Sequence, residues 1–181
     1  MDFPLLKTFE VESWLVESLL EFLEELKIKL PNWEYKTAFS DVPDSYETDN
    51  LVDRDYPQLD IFSKYFISKA SDLLHVPEKN IELFWFHFLD YGKGGEMGIH
   101  NHMHLEDFVM FIYLSTCDDG QTTWYLNNFD SESQKRTTIS CVPERGKGAL
   151  FSSLIDHYGT PNAAGTKKLC VLGLRVRLDN I

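Results

Sequence analysis

Three of the six histidines in this chain fall within five residues, in Ile99-His100-Asn101-His102-Met103-His104-Leu105-Glu106, shortly after the Gly94-Gly95 pair. On a strand, alternate residues share a face, so His100, His102 and His104 would project together. Imidazoles crowded on one face repel when protonated, which favours either exposure or a shared metal. Imidazole suits iron, zinc, copper and nickel. A solvated His-rich loop is the plain alternative, but the flanking glycine turn and apolar strand favour the metal. A mononuclear site needs another ligand from elsewhere in the chain. His75 ends a helical pattern, where positive charge complements the helix dipole. His87, in Trp85-Phe86-His87-Phe88, reads as a core or cleft-wall residue. His157 follows the apolar run from Gly148 to Ile155 and a short turn, and Lys167 opens the last strand ten residues on. A basic side chain there can pair with an anion deep in a barrel, although on spacing alone an ordinary surface lysine is the better reading.

The elements that must carry these residues change character along the chain. From about Glu10 to Leu30, Trp14, Leu15, Leu19, Phe22, Leu23 and Leu26 recur at helical spacings, with glutamates opposite and Pro31 as the stop. Residues 32–55 are polar and acidic and read as a long loop or lid. A second helix runs from Pro57 to about Leu74, with Leu59, Phe62, Phe66, Ala70 and Leu73 as its buried stripe and Pro77 just past its end. From residue 81, short β-rich segments follow at 81–91, 97–104, 107–115, 121–126, 136–142, 148–153 and 167–178, punctuated by Gly, Asp, Asn and Pro. Helices first and strands afterwards is an α+β pattern, mainly β. Seven or eight antiparallel strands imply a double-stranded β-helix, a jelly-roll barrel, with both helices packed on one sheet. The expectation is one domain over residues 1–181: a helical portion with the acidic loop over 1–79, and the jelly-roll core over 80–181.

Composition narrows the partners. The 181 residues carry 29 acidic against 17 basic side chains, for a net charge of −12. That field repels phosphate backbones and anionic lipid, so neither nucleic acid nor a membrane is expected as a partner. Cys117, Cys141 and Cys170 are odd in number and lack C-x-x-C spacing, so three reduced thiols are expected. The N-terminus lacks a signal-peptide layout and no apolar run can span a bilayer. A soluble, cytoplasmic protein is the expectation.

Over residues 81–178 these segments together resemble the iron(II)- and 2-oxoglutarate-dependent dioxygenases, in their prolyl 4-hydroxylase-like branch. That family's first motif is Tyr, Gly three later, His nine later, then an acidic residue two further on. Tyr91, Gly94 and His100 occupy the first three places. The second motif is His, Gly two later, Pro four later, Gly eight later and a basic residue ten later. His157, Gly159, Pro161, Gly165 and Lys167 match every place. Phe111-Ile112-Tyr113-Leu114-Ser115 resembles the family's tyrosine-leucine strand, Gly120-Gln121-Thr122-Thr123 its glycine-threonine turn, and Gly148-Ala149-Leu150-Phe151 the approach to the distal histidine.

The resemblance implies iron(II) on His100 and His157, with 2-oxoglutarate and molecular oxygen as cosubstrates. It implies Lys167 on the distal carboxylate of 2-oxoglutarate, with Tyr91 as a hydrogen-bond donor and Tyr113 as a further contact. Arg175 shares strand parity with Lys167 and is a weaker candidate. One place departs from the pattern: His102 stands where the facial triad has its carboxylate. Either His102 ligates directly, or Glu106 or Asp107 completes the site from the loop, or two histidines hold iron weakly. The first is favoured. The implied activity is hydroxylation of a prolyl or other peptide residue, or of a small molecule, coupled to decarboxylation of 2-oxoglutarate to succinate. The acidic surface favours a basic or neutral substrate, and the acidic loop 40–56 is placed to act as its lid.

Two other readings compete. Gly94, His100, His102 and Glu106 also fit the first motif of a non-oxygenase cupin, with Glu106 as a fourth ligand. The later cupin spacing fails after Pro143, and Lys167 would have no role. In a non-catalytic β-sandwich binding module the histidines would merely line a surface, which ignores the convergence of three segments on one site.

Overall fold

The computed structural model describes residues 6–30, 45–103, 106–130, 135–163 and 167–177. Its strands are β1 (Leu6–Glu10), β2 (Tyr46–Glu47), β3 (Ile81–Tyr91), β4 (Met97–His100), β5 (Phe108–Tyr113), β6 (Thr122–Asp130), β7 (Lys135–Cys141), β8 (Lys147–Ser152), β9 (His157–Gly159) and β10 (Lys167–Val176). The helices are α1 (Ser13–Lys29) and α2 (Pro57–Leu74). A six-stranded sheet runs β1-β8-β5-β10-β3-β2 and a four-stranded sheet runs β4-β9-β6-β7, with the pairings among the described residues antiparallel. This is the mainly β, double-sheet architecture that the strand pattern implies, with two helices on one sheet.

Strand alternation divides the core in two. In β5, Phe108, Met110 and Ile112 join the helix-facing cluster, whereas Val109, Phe111 and Tyr113 point between the sheets. All six residues are buried, because helices cover one face and the second sheet covers the other. β10 does the same: Cys170, Leu172 and Leu174 meet the helices, and Leu169 and Val171 face the barrel. From α1, Leu15, Leu19, Phe22, Leu23 and Leu26 enter the helix-side layer. From α2, Leu59, Phe62, Phe66 and Ala70 do so. Phe22 packs edge-on against Phe88, and Phe62 stacks on Phe86, which fixes both helices on β3. Leu73 is only partly buried against this layer.

Several expectations change. Trp14, placed in the buried stripe of α1, is 51% exposed; its ring lies edge-on to Tyr65 at the helix margin. The helix begins at Ser13 because residues 6–10 form β1, an edge strand on β8. The acidic segment is not all loop: β2 pairs with the end of β3, Tyr46 opposite Asp90 and Glu47 opposite Leu89. The N-terminal portion therefore supplies both edges of the large sheet. β4 stops at His100, so His102 is held by a turn and not by strand alternation. His104, Pro31, Gly165 and residues 40–44 of the proposed lid lie outside the described residues. β9 was not expected; three residues that include a glycine leave no alternating pattern to read. All three cysteines are buried thiols, and no helix among the described residues is long and apolar enough to cross a membrane.

Candidate metal centre and cosubstrate pocket

Sheet register brings the two histidine motifs together. β9 lies between β4 and β6, and His157 stands opposite His100 on one side and Trp124 on the other. The rings of His100 and His157 are 4.1 Å apart, those of His102 and His157 5.3 Å, and those of His100 and His102 5.1 Å. One ligand nitrogen from each of His100, His102 and His157 lies within 4.8 Å of the other two. Hydrogen bonds between the flanking residues hold the loop in place. Asn101 donates its amide to Asp156 at 2.8 Å, and the His102 backbone N–H donates to the Ser153 carbonyl at 2.9 Å. Asp156 also receives Arg136 at 3.0 Å. Asn101, the spacer between the two motif histidines, thus ties itself to the residue preceding the third.

The ring tautomers follow from the partners. His100 Nδ1 is 2.8 Å from the Gly98 carbonyl, and His157 Nδ1 is 3.0 Å from the Ile155 carbonyl. A carbonyl can only accept, so both Nδ1 atoms carry the proton, which makes Nε2 the lone-pair nitrogen of each ring. His102 Nδ1 lies 2.9 Å from Glu106 Oε1, and the Glu106 side chain is fully buried. Orientation through the second nitrogen is what metal-binding histidines require; His100 and His157 have it from backbone carbonyls, whereas the close Glu106 carboxylate makes no hydrogen bond to His102. Burial, and then the neighbouring imidazoles, hold His157 down to about 3 and His100 below its ordinary value. Both rings are therefore neutral and ready to ligate across the physiological range. This donor set fits a divalent transition metal with imidazole ligands. Glu106 stands behind His102 and outside the convergent set. Asp107 is used structurally, accepting from the Val176 backbone N–H at 2.7 Å.

The three rings open on a cavity of about 410 Å³ between the sheets. Phe111, Phe151, Leu169 and Val171 form an apolar wall, and Lys167 is the one ammonium among the described lining residues. Lys167 is 4% exposed, not the surface lysine that spacing alone would allow. Its Nζ lies over the faces of Tyr91 and Tyr113 at 5.6 and 5.9 Å, and no carboxylate pairs with it among the described residues. Burial pulls its pKa down to about 8. Gly159 explains how the ammonium fits: a β-carbon there would sit 3.2 Å from Lys167 Nζ. Since β9 alternates, His157 and Gly159 face the same space, one offering a ligand and the other leaving room beside it.

The remaining candidates fall in different places. Tyr91 lines the cavity, and burial raises its hydroxyl far above the ordinary range. Tyr113 offers the cavity side a ring face under Lys167, while its hydroxyl donates to Thr122 at 2.6 Å. Arg175 keeps parity with Lys167 but lies near the far end of β10, its guanidinium 3.4 Å from the centre of the Phe84 ring and outside the lining. His87 is a cleft-wall residue as expected, stacked near Trp85 at 4.7 Å and lowered to about 3 by burial. Two residues escaped the sequence reading. Asn162 is fully buried and closes the second motif on the first: its carbonyl accepts from the Gly94 N–H, and its N–H donates to the Gly95 carbonyl. Its place between Pro161 and Gly165 was the available signal. Glu47 also lines the cavity, and nothing in its acidic surroundings marked it out.

No protein-family model matches the sequence, and no curated protein matches it. Solved structures do match the fold. A prolyl-4-hydroxylase from Pseudomonas putida superposes with a TM-score of 0.69 at 15% identity, covering 97% of this chain and 94% of that one. The non-heme alpha-ketoglutarate dependent carbocyclase SnoK from nogalamycin biosynthesis gives 0.77 at 11% identity, over 97% and 80%. HygX from Streptomyces hygroscopicus, solved with nickel and 2-oxoglutarate bound, gives 0.68 at 15%, over 97% and 84%. Over nearly its whole length, this chain has the double-stranded β-helix fold of the 2-oxoglutarate- and iron(II)-dependent oxygenases.

Proposed function

We propose that this chain is an iron(II)- and 2-oxoglutarate-dependent oxygenase that hydroxylates a small molecule or a peptide residue, with prolyl among the candidates. The observation that carries this reading is Lys167: a buried ammonium without a carboxylate partner among the described residues, in the same cavity as three convergent imidazoles. Taking such a charge out of water is costly unless an anion meets it. A dicarboxylate that reaches the metal with one end and Lys167 with the other supplies that anion. Structures of the same fold with nickel and 2-oxoglutarate bound support the choice of dicarboxylate.

His100, His102 and His157 would hold iron, which with 2-oxoglutarate and oxygen supplies oxidative decarboxylation coupled to substrate oxidation. The chain's own residues have separate tasks. Lys167 binds and orients the distal carboxylate, and the Tyr91 and Tyr113 ring faces hold the ammonium in place. Tyr91, uncharged throughout the physiological range, serves as a neutral donor beside it. Phe111, Phe151 and Val171 exclude water from the reacting centre. Glu106, behind His102, places a carboxylate one shell out from where a facial triad carries one.

Calorimetry with manganese(II)-loaded protein tests the reading directly. The expected result is saturable 2-oxoglutarate binding, lost by at least tenfold in Lys167→Ala with metal affinity kept, and slow succinate formation with iron(II) in the absence of substrate. Metal-loaded protein that fails to bind 2-oxoglutarate would overturn it.

A further inference from the structure

The cavity holds a second charged group that the metal and the cosubstrate do not use. Glu47 is the one carboxyl among its described lining residues. It comes from β2, in the acidic segment that otherwise read as loop. Pairing opposite Leu89 turns its side chain to the barrel side of the sheet, into the row formed by His87, Leu89 and Tyr91. Tyr46, one residue earlier, pairs with Asp90 and belongs to the helix-side layer instead. Register therefore aims Glu47 at the cavity.

Its polar atoms are poorly met. Oε2 is buried without a hydrogen bond among the described residues, and Oε1 lies 3.9 Å from His87 Nδ1, too far for one. A buried acceptor left unmade costs about 1–3 kcal/mol. Such a cost persists at functional sites, where a ligand removes it. Burial also raises this carboxyl to about 7, so a cationic partner would restore the ionised form that the apo cavity penalises. Lys167 does not serve: its ammonium lies over the Tyr91 and Tyr113 rings and makes no ion pair with Glu47 among the described residues. His87 does not serve either, since its ring is neutral. The cavity thus has a basic anchor and an acidic one, and the cosubstrate takes only the first.

We propose that Glu47, with His87 beside it, is the substrate-recognition point of this cavity and receives a positively charged nitrogen, an amine or a guanidine, of the molecule to be oxidised. This rests on the oxygenase reading for what happens to the substrate, but not for the binding itself. The net charge of −12 acts in the same direction at longer range by drawing cations to the surface.

The test is a ligand-observed NMR titration with putrescine, agmatine, N-acetyl-lysine amide and N-acetyl-arginine amide. N-acetyl-norleucine amide and N-acetyl-glutamate amide serve as neutral and acidic controls. It is run with and without manganese(II) and 2-oxoglutarate. The expected result is at least one cation binding tenfold or more tighter than both controls, with that preference abolished in Glu47→Gln. The Gln variant keeps the side-chain shape, and its affinity for 2-oxoglutarate should stay within twofold of the parent. Absence of any cation preference, or a preference that survives in both Glu47→Gln and Glu47→Ala, overturns the proposal. Failure of 2-oxoglutarate alone, with the Glu47-dependent preference intact, would instead count against the oxygenase reading.

Discussion

Glu106 Oε1 stands 2.9 Å from His102 Nδ1, with the Glu106 side chain fully out of water. The relationship bears on the one place where this chain departs from a facial triad. If His102 takes the place of the acidic ligand, the metal would lie one negative charge short, with the Glu106 carboxylate just behind the ring. Neither Glu106 oxygen makes a hydrogen bond among the described residues, so its effect on a metal held by His102 would come from its nearby charge.

Glu106→Gln should therefore weaken metal binding by about 10–100-fold without removing a ligand. Competition titration with cobalt(II) reads the affinity, and the visible spectrum of the cobalt form reads the ligand field. A parent-like affinity together with a parent-like spectrum would reduce Glu106 to a packing residue.

Gly159 tests the cosubstrate end without touching a charge. A β-carbon there meets Lys167 Nζ at 3.2 Å and Met97 Cβ at 3.6 Å. At that distance the ammonium must give by a few tenths of an ångström, away from the space it now occupies. Gly159→Ala should lower 2-oxoglutarate affinity by about tenfold, or roughly 1.4 kcal/mol, and leave metal affinity near the parent value. Equal loss of both would show that the substitution disturbs β9 as a whole.

Glu47 should leave a mark on stability as well as on binding. Its carboxyl rises from 4.5 to about 7 on folding. Between those values the folded chain holds a proton that the unfolded chain has lost, so stability falls as pH rises through that window and then levels off. The loss is at most about 3 kcal/mol. Glu47→Gln should then melt higher than the parent at pH 8 and close to it at pH 4.5, in thermal scans of metal-free protein. His87 acts with the opposite sign. Its folded value of about 3 lies below 6.5, so its contribution is complete above pH 6.5 and is lost as pH falls toward 3. A stability advantage of Glu47→Gln that does not change with pH would mean that the carboxyl is solvated.

The sequence by itself determined the elements and most of the chemistry. Helical spacing marked α1 and α2, and β-rich segments between turn residues marked β3, β5, β8 and β10, because burial writes its period directly into residue order. The residue pattern from His157 to Lys167 matched a family motif, and through that resemblance marked a candidate ligand and a candidate anchor. Tertiary structure decided what depends on register across distant strands. It placed His157 opposite His100 through β9, a strand too short to show a pattern. It turned Glu106 toward His102 from behind, and it showed Lys167 to be buried where the sequence allowed a surface lysine. It brought Glu47 out of an acidic segment and into the cavity, through a two-residue pairing whose side-chain direction no local periodicity encodes.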